Sequence, residues 1–144
     1  MCRKLIYLVS FVLALMVTAS STNADITTGL VGHWMFDEGS GTTAADLSGN
    51  GNHGNLQGDP RWVVGHIRGA LHFDGVDDWV EVPHHESLTV DNEVTVAAWI
   101  NAERHAGPGG ASWQGIIAKS NNPRSYSFYT RAAGDLHFST GPGG

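Results

Sequence analysis

Cysteine is nearly absent from this chain: the single one, Cys2, stands at the extreme N-terminus, so no internal disulfide can staple the fold. Stability must come from a packed core or a bound ion. Basic residues are scarce as well, 8 Lys and Arg against 14 Asp and Glu, for a formal net charge of −6. With no basic patch, nucleic acid and anionic membrane are excluded as natural partners. No heptad repeat, no long 3.6-residue periodicity and no block of like charge is present, which excludes coiled coils and long amphipathic helices. No apolar run reaches the ~20 residues that a membrane-spanning helix needs. A Gly-x-Ser-x-Gly nucleophile turn is missing too. What the chain does have is turn chemistry: 19 glycines, many Asn, Asp, Ser and Thr, and short apolar runs between them.

The first residues read as an export signal. Arg3 and Lys4 precede an apolar run from Leu5 to Val17, and Thr22-Asn23-Ala24 offers a small-x-small cleavage site before Asp25. Cleavage there would divide the chain into a signal peptide (1–24), a short linker (25–29) and one domain (30–144). It would remove Cys2 and two basic residues, leaving 6 basic against 14 acidic side chains and a net charge of −8. The reading predicts a secreted or cell-surface protein with no membrane span after cleavage.

Strand signals fill the rest. Leu30 to Phe36, Trp62 to Val64, Ala70 to Asp74, Asp78 to Val82, Glu93 to Asn101, Gly115 to Lys119, Ser125 to Thr130 and Leu136 to Thr140 are short apolar or alternating runs. Glu93 to Asn101 is the clearest: Val94, Val96, Ala98 and Ile100 share one face, Thr95, Ala97 and Trp99 the other. With apolar side chains on both faces, it is expected to be a covered, central strand. Asp74-Gly75 between two alternating runs predicts a tight antiparallel reversal. Gly75 accepts positive φ, and Asp74 can bond its own backbone across the turn. Asp74, Asp77 and Asp78 lie within five residues there and repel one another unless a donor or cation neutralises them. Asn122-Pro123 and Ala133-Gly134-Asp135 supply later turns, and Gly107-Pro108-Gly109-Gly110 tips the long loop between Ala102 and Trp113. Seven or eight short strands and no helix predict an all-β fold: a two-sheet antiparallel jelly-roll sandwich.

Four blocks in order strengthen this. Leu30-Val31-Gly32-His33-Trp34-Met35-Phe36-Asp37-Glu38-Gly39-Ser40-Gly41 comes first, followed by Asp46-Leu47-Ser48-Gly49-Asn50-Gly51-Asn52-His53-Gly54. Gly69-Ala70-Leu71-His72-Phe73-Asp74-Gly75-Val76-Asp77-Asp78-Trp79-Val80 and Val94-Thr95-Val96-Ala97-Ala98-Trp99-Ile100 complete the set. Together they resemble LamG-like (laminin G-type, concanavalin A-like) jelly-roll domains. The resemblance implies two packed antiparallel sheets, one concave, and carbohydrate or protein binding on exported proteins. It also implies closing strands beyond Gly144, so the sandwich is expected to be incomplete in this chain, with self-association through exposed sheet edges.

The resemblance further implies a structural calcium near one edge. Asp37, Asp46, Asn50 and Asp74 lie in glycine-rich corners and offer the hard oxygens calcium requires, although Asp and Asn at such corners also serve simply as turn formers. Asp46-Leu47-Ser48-Gly49-Asn50-Gly51 imitates the start of an EF-hand loop, but the twelfth position is Gln57 rather than glutamate. Gly39-Ser40-Gly41-Thr42-Thr43-Ala44 imitates a dinucleotide fingerprint, yet no helix follows to face a pyrophosphate. The eight histidines show no paired ligand spacing, and adjacent His84 and His85 point to opposite faces of an extended chain.

Glycosidases of jelly-roll architecture carry Glu-x-Asp-x-x-Glu on one strand, and no glutamate here has Asp two residues later. Asp78 and Glu81, three apart, fall on opposite faces of a strand. The chain is therefore expected not to be an enzyme. Sugar binding needs a flat apolar ring with polar groups around it. Trp34, Trp62, Trp79, Trp99 and Trp113 qualify, with Tyr126 and Tyr129, but indoles of a small sandwich mostly belong to its core. Trp113, set between Ser112 and Gln114 after the glycine-rich loop, is the one expected to be exposed and to stack on a ligand. The expectation is a non-catalytic secreted module binding extracellular glycan or a surface protein. The alternatives are an N-terminal appendage of a larger exported enzyme, such as a glycoside hydrolase whose catalytic part lies outside this chain, and an architectural spacer.

Overall fold

The computed structural model describes residues 27–89, 93–103, 113–119 and 125–141. The export segment, the 107–110 loop tip and the Asn122-Pro123 turn lie outside the described residues. Within them the protein is all-β and antiparallel, with eight strands in three small sheets. β1 (Thr43–Ala44), β2 (Gly54–Gln57) and β5 (Trp79–Glu81) form the first, in the order β1-β2-β5. β3 (Arg61–Val64) and β4 (Gly69–His72) form a two-stranded second sheet, with Arg61 opposite His72 and Val64 opposite Gly69. β6 (Trp113–Lys119), β7 (Tyr126–Arg131) and β8 (Leu136–Thr140) form the third, with β7 central. A single 3-10 turn, Glu86–Leu88, buries Leu88. No helix among the described residues is long and apolar enough to cross a membrane.

The last three strands lie where the alternating pattern predicts them, and Gly134, at φ 84°, turns β7 into β8. Three other expectations fail. The segment 30–36 is not a strand: its ladder contact is an isolated antiparallel bridge from Trp34 to Asp46. Its first two carbonyls accept from side chains, Leu30 from Asn50 Nδ2 (3.0 Å) and Val31 from Asn52 Nδ2 (2.7 Å). Phe36 then turns to φ 58°, which ends any extended run.

The Asp74-Gly75 corner forms its turn but not a hairpin. Gly75 sits at φ 74°, and Asp74 Oδ1 accepts the Val76 N–H at 2.7 Å. The flanking strands, however, belong to different sheets: β4 pairs with β3 and β5 with β2. Asp78 accounts for the divergence. Its Oδ2 accepts the Asp74 N–H (2.8 Å) and its Oδ1 the Asp59 N–H (2.7 Å), tying the corner to the β2–β3 connection. The chain leaves one sheet there and enters another.

Residues 93–101, the clearest strand by pattern, carry no ladder, and Trp99 is 79% exposed with its ring tilted against His66 at 4.9 Å. Val94, Thr95 and Val96 instead line an open groove of about 320 Å³ with Phe128 and Phe138.

Among the described residues the buried apolar side chains are few: Ala44, Leu88 and Tyr126. Buried polar groups, Asp46, Asn52, Ser127 and Thr130, are as numerous, so hydrogen bonding carries much of the order. Trp34, whose ring lies against Gly32, donates its indole N–H to the Asn52 carbonyl at 2.8 Å.

Candidate ligand-binding face

In an antiparallel sheet, residues directly opposite one another share a face. Trp113 lies opposite Arg131, Gly115 opposite Tyr129, and Tyr129 opposite His137. Trp113, Tyr129, Arg131 and His137 therefore meet on one side of the third sheet. Phe128 and Phe138, one residue out of phase, turn to the other side and meet edge-on at 6.2 Å. A register shift between Gly115 and Ile117 separates the Trp113 end of β6 from its remainder.

Trp113 is 46% exposed, as the sequence predicts. Its ring meets Tyr129 edge-on (centroids 6.1 Å, 80°) and His137 edge-on (5.0 Å, 75°). Gly115 leaves room for this: a Cβ there would touch the Tyr129 ring at 3.4 Å. The Arg131 guanidinium stands 5.6 Å from the Trp113 ring centre, within cation–π range. Arg131 Nε donates to Asp135 Oδ2 at 2.7 Å, and Nη2 donates to the same oxygen. The hydrogen bond to Asp135 raises the Arg131 pKa, and the same bond from Arg131 lowers that of Asp135, so both stay charged as a pair. Asp135 Oδ1 is buried with no partner among the described residues. Two residues along on the same face, the Ser127 and Ser139 hydroxyls bond at 2.8 Å. The result is a half-exposed indole held edge-on by Tyr129 and His137, with the Arg131 guanidinium over its ring.

The sequence singles out Trp113 and includes Tyr129 among its aromatics, but misses Arg131 and His137. Strand register alone would have found them, because the Ala132–Gly134 turn fixes which residues of β7 and β8 oppose. Tyr126, the other tyrosine considered, is buried.

Asp37, Asp46, Asn50 and Asp74, expected to line a calcium site, do not gather as one group of four. Asp46 accepts from the backbone N–H groups of His33 (2.8 Å), Ser48 (2.9 Å) and Asn52 (2.9 Å) and from the Ser48 hydroxyl (2.7 Å). Burial works to raise its pKa, but these donors outweigh it and hold the carboxyl at about 2. Asn50 shares Ser48 with Asp46 while reaching back to Leu30. Asp37 serves a different corner, accepting the Gly69 N–H at 2.8 Å and facing Arg68 at 3.5 Å.

Asp74 lies elsewhere again, with Asp77 and Asp78: one oxygen of each falls within 4.8 Å of the others. The backbone N–H of Asp74 lowers the pKa of Asp78 against the effect of desolvation, and the Asp59 N–H adds to the lowering. This exposed cluster is a set of hard oxygens that a divalent cation would accept. The histidines keep separate partners. His53 Nδ1 accepts the Asp46 N–H, His85 Nδ1 caps the 3-10 turn, and His84 Nδ1 meets Lys119 Nζ at 2.9 Å.

By its described residues the chain is an all-β antiparallel protein. Comparison with protein-family models, curated proteins and solved structures finds no match for the chain.

Proposed function

We propose that this chain is an exported, non-catalytic recognition module that binds glycan on the Trp113 face. One observation carries the reading: a half-exposed indole clamped edge-on by Tyr129 and His137, with the ion-paired Arg131 over its ring. A sugar ring stacks its apolar side on such a surface and offers its hydroxyls to the polar fringe. The order of the four sequence blocks supports a LamG-like sandwich. Export rests on the basic, apolar and small-residue order of the first 24 residues.

The test is a glycan array probed with the full chain. Defined hits are expected, with affinity reduced about tenfold by Trp113→Ala, the loss of roughly 1.4 kcal/mol of stacking. A folded protein that recognises no glycan overturns the reading.

A structural calcium belongs to the same proposal at Asp74, Asp77 and Asp78. Ion binding to the native state alone raises the thermal midpoint. The expected result is a higher midpoint in calcium than in excess chelator; identical midpoints leave the three carboxylates as turn formers.

A further inference from the structure

We propose that the Trp113 face selects uncharged glycans and rejects acidic ones, an inference that rests on the glycan reading above. Arg131 is the lysine- or arginine-type cation that the register brings to Trp113, and it is already neutralised. Its Nε and Nη2 both donate to one Asp135 oxygen, across a turn closed by Gly134 N–H to Arg131 O (2.8 Å) and Arg131 N–H to Asp135 O (2.9 Å). Backbone hydrogen bonds hold the two partners, so the pair does not depend on two mobile side chains meeting by chance.

To take the Nε–Nη2 fork a uronate or sulfate would have to displace Asp135, and at Nη1 it would meet a guanidinium whose charge the Asp135 carboxylate already balances. Once displaced, Asp135 would lose its Arg131 bonds while its Oδ1 already lacks a partner among the described residues. A hydroxyl demands no such exchange. Arg131 Nη1 has no acceptor among the described residues and can donate to a neutral oxygen while the Asp135 bond stays in place. The charge of the whole chain acts in the same direction, since a net −6 repels polyanions at low ionic strength. Shape and hydroxyl placement are left to decide affinity, with Trp113 as the stacking surface.

The experiment titrates the full chain calorimetrically with neutral hexasaccharides (cello-, xylo- and manno-oligomers) and with acidic ones (oligogalacturonate and a heparin fragment), at low and high salt. The expected result is binding to at least one neutral oligomer, unchanged within about twofold by salt because no counterions are released. Asp135→Asn should raise affinity for oligogalacturonate severalfold relative to the neutral oligomers, because the Arg131 charge is then no longer balanced. A melt of the variant checks that the β7–β8 turn survives, and Asp135→Ser serves as a second variant if it does not. Tighter binding of the acidic oligomers by the unmodified chain, weakening steeply with salt, overturns the neutral selectivity while leaving the face a glycan site. Binding to none of the oligomers, with the chain folded, overturns the glycan site itself.

Discussion

A buried carboxylate keeps its charge only when donors replace the water it has lost, and Asp46, 6% exposed, collects four of them. Three are backbone N–H groups from separate stretches, so one side chain fixes the path of residues 33, 48 and 52 together. Asp46→Asn removes the charge and turns one acceptor into a donor facing N–H groups. It should cost about 1–3 kcal/mol, read as a lower thermal midpoint. The pH dependence has a definite sign. With the folded pKa depressed from 3.8 to about 2, Asp46 contributes its full stabilisation above the higher value. That contribution, at most about 2.5 kcal/mol, is lost as pH falls through this window. Melts from pH 5 down to 2 should therefore show a decline that Asp46→Asn reduces. Equal declines in both proteins would move the cause to other carboxylates. Gly58 marks another tight point: at φ 74° it lies against the Asp77 carbonyl, where a Cβ would collide. This contact brings the β2–β3 connection up to the acidic corner.

At the scale of elements, local pattern was legible and pairing was not. Residues 113–119, 126–131 and 136–140 alternate and are joined or bounded by turn residues, and they form adjacent strands as consecutive elements usually do. Asp74-Gly75 carried an equally strong local signal, and the turn is there. What the signal could not convey is that Asp78, four residues on, bonds Asp59 across the sequence and draws the following strand to β2. Likewise the apolar alternation of 93–101 describes a segment suited to a central strand, but alternation names no partner, and among the described residues no strand pairs with it. The candidate face divides in the same way. Trp113 was legible from its polar neighbours, whereas Arg131 and His137 became visible only once register set them opposite Trp113 and Tyr129. Around Asp46 the residue types leave the role open, because Asp and Asn in glycine-rich loops suit calcium and turns alike. Only the hydrogen bonds separate the two roles, and at Asp46 they are N–H and O–H donors.

For the molecule as a whole, the described residues leave much apolar surface in water. Val64 is 93% exposed and Trp99 79%, and Ile67, Phe73, Val76, Ile100, Leu136 and Phe138 are exposed as well. Monomeric proteins seldom leave large contiguous apolar patches uncovered. The outer edges of β6 and β8 add backbone groups with no neighbouring strand among the described residues, a template for pairing with another chain. Against association stands the net charge of −6, which separates molecules through long-range repulsion. Salt screens that repulsion beyond about 10 Å at 0.1 M and leaves the apolar contact intact. The full chain should therefore form concentration-dependent oligomers whose mean mass, measured by light scattering, rises with added salt. Trp99→Ser and Val64→Ser remove apolar surface without touching any strand pairing of their neighbours, and each should lower that mass at a fixed concentration. Oligomers that salt disperses would point to charge pairing as the cohesive force. A cooperative melt from a species that stays monomeric at every concentration and salt level would mean that these exposed side chains do not drive association.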